Sequence, residues 1–117
     1  MRGGALLATK LETPVGKQIR GYLSRLRNSG ISVSFAVVYG SAITGEENVF
    51  NDIDTVVVSP DFDSGNRMDN LQSLWENLDD ATSRIEPYPC GEIEWRENNT
   101  SRILKMAREK GVKIQPD

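Results

Sequence analysis

Apolar residues along the chain change period several times, and each change marks a new element. Val15, Ile19, Tyr22, Leu23 and Leu26 stand at offsets of 4, 7, 8 and 11, the spacing of one helical face. Thr13 suits the N-cap, Pro14 the first helical position and Gly30 the stop. Residues 1 to 12 lack any period and contain Gly3-Gly4, so they read as a loose N-terminal segment ahead of a single domain, 13–117. After the helix, the β-branched and aromatic run from Val33 to Tyr39 predicts a strand ending in Gly40-Ser41. Ala42 to Asn51 reads as a mostly polar link. A second strand follows from Ile53 to Ser59, dense in valine and closed by Pro60.

Residues 60 to 67 have the composition of a loop, and the acidic run Asp61, Asp63 and Asp69 reads as solvated. Helical spacing resumes at Met68, Leu71, Leu74, Trp75 and Leu78, and Trp75, like Trp95, reads as a core or interface aromatic. A short third strand is predicted near Arg84 to Tyr88, with Pro87 and Pro89 interrupting it. Glu92 to Trp95 fits a strand or a helix. Thr100 is placed to cap a last helix carrying Ile103, Leu104 and Ala107, which Gly111 ends, and Val112 to Ile114 predicts an edge strand. The fold class is therefore α/β (α+β), with a small mixed sheet of three or four strands flanked by helices.

Composition narrows the chemistry. The chain has 117 residues, enough for one compact core, and 38% of them are apolar. With 14 basic and 17 acidic side chains the net charge is -3, which disfavours wrapping nucleic acid. Histidine is absent and Cys90 is the lone cysteine, so imidazole catalysis, zinc held by His or Cys clusters and an internal disulfide are excluded. Cys90 has no basic neighbour in sequence, which argues against a reactive thiolate. Any metal would be held by oxygen, which selects magnesium or manganese. The apolar stretch Ala5 to Ala8 is too short for a signal core or a membrane span, so a cytoplasmic location is expected.

The pattern that carries chemistry is Gly40-Ser41, a ten-residue gap, then Asp52-Ile53-Asp54. Residues two apart on a strand share a face, so Asp52 and Asp54 project together. Adjacent carboxylates repel, and a hard divalent cation with ligands at about 2.0–2.1 Å offsets that cost. A glycine at the exit of a buried strand lets the backbone approach a ligand, and free N–H groups with the Ser41 hydroxyl would grip phosphate. Phosphate on one side and metal on the other suits nucleotidyl transfer, where catalysis is positioning and charge neutralisation.

These residues resemble the signature of the DNA polymerase beta superfamily, and most closely its smallest members, the minimal nucleotidyltransferases. The likeness runs from the Pro14 helix to Gly111-Val112. It implies that Asp52 and Asp54 bind metal, with a third carboxylate from a later strand. Glu86 fits that position, and Glu92 and Glu94 are competitors. It further implies a nucleoside triphosphate substrate, ATP foremost, and a hydroxyl acceptor supplied by a partner, since the chain is too short to hold its own acceptor domain. Members of this type pair with small helical proteins of the HEPN type, some acting as antitoxins that adenylylate them; association between copies of the chain is also left open. One departure is that Ala42, Ile43 and Thr44 stand where many relatives carry Arg or Lys, leaving Lys17, Arg67 or Arg84 to supply charge. A catalytically weak nucleotide-binding or docking module of the same fold is the alternative.

Overall fold

The computed structural model describes residues 13–40 and 52–116. The predicted loose N-terminal segment, the link from Ala42 to Asn51 and Ser41 itself lie outside the described residues. The elements are α1 (Pro14–Asn28), β1 (Phe35–Tyr39), β2 (Ile53–Val58), α2 (Arg67–Glu76), β3 (Ile85–Cys90), α3 (Glu92–Glu97), α4 (Arg102–Lys110) and β4 (Val112–Ile114). Two 3₁₀ turns, Pro60–Asp63 and Asp80–Thr82, bracket α2. Among the described residues no helix is long and apolar enough to cross a membrane.

The α1 boundaries follow from local chemistry. The Thr13 hydroxyl accepts from the Gly16 N–H at 3.1 Å, and Pro14 loses no bond by lacking an N–H in the first turn. The face of Ile19, Tyr22, Leu23 and Leu26 is fully buried. The strand expected from Val33 begins instead at Phe35, because the Val33 N–H turns back to the Ile31 carbonyl at 3.0 Å.

The sheet order is β3-β2-β1-β4; β1 runs antiparallel to both β2 and β4, while β2 and β3 are parallel and joined through α2. Prolines at 87 and 89 do not interrupt β3, contrary to the sequence expectation. The Ile53 N–H donates to the Arg84 carbonyl and the Ser59 N–H to the Cys90 carbonyl, so even-numbered positions of β3 face β2. Odd positions then face the open edge, where a proline forfeits no ladder bond.

Each sheet face carries its own apolar layer. One joins Ala36, Val38, Ile53, Val57 and Ile85 to α1 and to Leu74 of α2. The other joins Val37, Val56, Val58 and Cys90 to Leu104 and Ala107 of α4. α2 contributes less to the core than its spacing suggested. Only Leu74 is buried, Leu71 is half-buried, and Met68 and Trp75 face solvent at 62% and 52% exposure. Trp75 is thus a surface aromatic, because the short α2 lays a single turn on the sheet. Trp95 packs as expected, edge-on against Phe35 with ring centroids 5.7 Å apart.

The ambiguous Glu92 to Trp95 segment is helical because its N-terminus is capped from a distance. The Asp63 carboxylate accepts from the N–H groups of Glu92 at 3.0 Å and Ile93 at 3.2 Å. Two members of the acidic run are therefore structural, since Asp61 likewise accepts from the Ser32 N–H at 2.8 Å. The cap of α4 is Ser101, whose hydroxyl accepts from the Leu104 N–H at 3.2 Å; Thr100 is instead occupied with the Asn98 side chain. Gly91 is required by proximity: a Cβ there would land inside the Asp63 carboxylate, 2.9 Å from the Asp63 Cα. Gly91→Ala is expected to cost about 1–3 kcal/mol, as an overpacked core site does. Urea titration checks this, and a loss under 0.5 kcal/mol would show that the Asp63 cap moves aside freely.

Candidate active site

Strand register decides which carboxylates meet. Asp54 sits opposite Tyr39 on one side and level with Glu86 on the other. Because registered partners share a face, Asp54, Glu86 and Tyr39 project on the side lined further along by Val37, Val56 and Val58. Tyr88, two residues beyond Glu86, falls in the same row. The face thus changes from apolar to acidic toward the start of β2, where exposed Asp52 follows in period.

Glu92 and Glu94 stand elsewhere. Since β2 and β3 are parallel, Cys90 is level with Val58 at the far end of the sheet, and α3 starts beyond it. Glu92 accepts from the Ser34 hydroxyl, and Glu94 pairs with Arg67 at 3.1 Å. Of the three competing glutamates, Glu86 alone lies beside Asp54.

Electrostatics mark the same spot. Partial burial, followed by repulsion from Asp52, raises the Asp54 carboxyl above its ordinary range. Burial first, then Asp54, Tyr88 and Glu86, pushes the Tyr39 phenol up to about 12. Tyr39 is therefore a neutral hydroxyl at physiological pH, a donor beside an anion. Sequence reading gave the two tyrosines no role, although the alternation Glu86-Pro87-Tyr88 placed Tyr88 in the row.

Gly40 has φ +81°, a conformation costly for other residues, and a Cβ there would stand 2.7 Å from Asp54 Oδ2. A bare backbone at this point leaves the Asp54 carboxylate room for a ligand. Donor chemistry fits a hard divalent cation: three carboxylates, no competing thiol or imidazole, and one carboxylate disfavoured as a lone ion. Among the described residues no group of three such side chains already converges to hold a metal.

The three cations considered for the triphosphate part ways. Arg67 lies 5.2 Å over the Tyr88 ring and bonds the Pro89 carbonyl and Glu94. Lys17 lines a groove of α1 with Ala81 and Thr82, on the layer opposite the carboxylates. Arg84 immediately precedes β3, its carbonyl bonded by Ile53 at 2.7 Å, and so stands at the carboxylate end.

Cys90 is buried, and its thiol is pushed up to about 12 by burial and Glu94, with Arg67 and Arg108 opposing. It is expected to resist thiol reagents until the protein unfolds. The raised value means folded protein holds this proton longer than unfolded chain. Its stabilising contribution is complete below the ordinary thiol value of 9.0 and is lost as pH rises toward 12. Urea titrations across that window should fall less steeply for Cys90→Ala than for wild type; equal slopes would count against it.

A family profile for the nucleotidyltransferase domain matches residues 17–113. The structure is similar to the crystal structure of a protein assigned as a nucleotidyltransferase from Sulfolobus solfataricus, with a TM-score of 0.62 and 14% identity over 83% of this chain and 76% of that one. At such identity the likeness speaks for the fold, and no curated protein matches the chain. Fold and family profile agree, and the chain belongs to the nucleotidyltransferase domain family, as an enzyme with the polymerase-beta-like fold.

Proposed function

We propose that this nucleotidyltransferase moves a nucleoside monophosphate from ATP to a hydroxyl on a partner protein, with magnesium or manganese at Asp52, Asp54 and Glu86. The observation that carries this reading is the register of Asp54 with Glu86, with Asp52 two residues away and Gly40 alongside. Asp52 and Glu86 are exposed side chains, so turning them toward Asp54 would assemble three carboxylates on rigid strand supports. A bound cation would supply charge neutralisation for the phosphates and lower the pKa of an attacking hydroxyl. The chain's own part is placement: Gly40 and Ser41 for phosphate, Tyr39 as a neutral donor beside Asp54, Arg84 as a cation at the carboxylate end of β3. Acceptor binding falls to a partner, for which a small helical protein of the HEPN type is the expected kind.

Calorimetric titration of ATP with magnesium tests this, repeated with EDTA and with the Asp52→Asn/Asp54→Asn variant. Binding that needs magnesium and disappears in the variant is expected. A folded wild type that binds no ATP would sink the stand-alone enzyme reading. A second reading, a nucleotide-binding or docking module without turnover, is favoured by Ala42, Ile43 and Thr44, which stand where many relatives carry Arg or Lys. Metal-dependent turnover separates the two.

A further inference from the structure

Two exposed helix faces have complementary character. On α2, Met68, Gln72 and Trp75 form an outward column flanked by Asp69 and Glu76. The only cation on this helix, Arg67, is already bonded to Glu94. On α4, residues 102, 106 and 110 repeat at intervals of four, so Arg102, Met106 and Lys110 form a column, with Ile103 beside it. Met106 and Ile103 are 47% and 37% exposed. Lys105 adds a cation to that face and Glu109 one opposing charge. Each helix therefore presents large apolar side chains to water inside a ring of one predominant sign, acidic on α2 and basic on α4. Exposed apolar groups of this kind mark contact surfaces more often than inert ones when they cluster.

We propose that α4 of one molecule docks on α2 of another copy of this chain. Charge complementarity selects the second copy as occupant, because the chain itself supplies the acidic, apolar match for its basic, apolar face. Leu74 anchors α2 to one layer of the sheet, while Leu104 and Ala107 anchor α4 to the other. The two columns therefore face away from each other and cannot meet within one molecule. A contact between unlike patches on opposite sides is head-to-tail, and copies add in series. Each face is a single short helix, ten and nine residues long, smaller than a standard interface side of about 800 Å². The association is therefore weak, reversible and sensitive to salt.

Sedimentation velocity on the full chain, from micromolar to millimolar at low and high salt, tests this. Concentration-dependent growth that salt suppresses is expected. Arg102→Glu/Lys110→Glu makes both faces acidic and Asp69→Lys/Glu76→Lys makes both basic. Each variant alone should bind itself at least about tenfold more weakly than wild type. An equimolar mixture of the two should regain association, because every contact is again between opposite charges. Circular dichroism and Cys90 protection report whether each variant is folded. A wild type that stays monomeric throughout overturns the proposal. So does either folded variant that self-associates like wild type, or a mixture of folded variants that fails to associate.

Discussion

Asp54→Asn should lower magnesium-dependent nucleotidyl transfer by at least about two orders of magnitude, the scale of deleting one preorganised charge contact at a transition state. The same substitution should leave the metal-free protein as stable as wild type or more so. In the metal-free fold Asp54 is partly buried and repelled by Asp52, which makes its charge unfavourable. Asparagine keeps the shape and removes the charge. Magnesium should then raise the melting temperature of wild type, since a ligand bound only by the folded state stabilises it by mass action, about 2.7 kcal/mol at one hundred times its Kd. The variant should show no such rise. Thermal melts with and without magnesium, beside single-turnover assays, separate these effects. If Asp54→Asn melted well below wild type without metal, Asp54 would be a structural carboxylate and its place in the site would fall. If it kept full activity, metal-assisted transfer through this strand would be wrong.

The sequence was most legible where one local rule sufficed. Thr13-Pro14 set the start of α1 because cap and first-turn chemistry are local. The valine run set β2, and the two-residue alternation set the common side of Asp54, Val56 and Val58. Three features depended on distant partners and were harder. Glu92 to Trp95 is helical through Asp63, about thirty positions earlier in sequence. β3 runs through Pro87 and Pro89 because it is an edge strand, and edge position is a property of the sheet. Trp75 matched a helical period yet faces solvent, because periodicity does not say how much of a short helix the sheet covers.

Which glutamate stands beside Asp54 also needed the sheet. In sequence, Glu86, Glu92 and Glu94 all follow the central helix and differ little in type. Parallel pairing of β2 with β3 puts Asp54 level with Glu86 and carries the other two past the far end. Tyr88 entered the row by the same pairing, and Tyr39 by the antiparallel pairing of β1 with β2. The missing cation after Gly40-Ser41 is a different case: the residues following Gly40 lie outside the described part, and the candidates are set by where their anchors stand. Arg67 is committed to Tyr88, Pro89 and Glu94, whereas Arg84 is fixed by its backbone at the acidic end.

Tyr22→Ala should cost about 3–5 kcal/mol, the range for removing a buried aromatic, out of a total stability of about 5–15 kcal/mol. Tyr22 is fully buried, and its hydroxyl donates to the Leu74 carbonyl at 2.6 Å, joining α1 to the last turn of α2. Burial raises its phenol well above the ordinary value, so it remains a neutral donor. Tyr22→Phe keeps the ring and deletes that bond, while the Leu74 carbonyl retains the Asn77 N–H at 3.3 Å. The loss should then be about 0.5–1.5 kcal/mol. Urea titrations with unchanged m-values would make the two losses comparable. Equal losses would mean that the hydrogen bond, rather than ring burial, fixes α1 to α2. A small loss for both would mean that α1 is not anchored through this residue. The consequence reaches the site, because Tyr22 packs in the same layer as Ile53. Ile53 immediately precedes Asp54 on β2, and its burial in this layer turns the Asp54 carboxylate to the opposite face. A variant that loosens this layer should therefore lose magnesium affinity even while folded, whereas Tyr22→Phe should retain it.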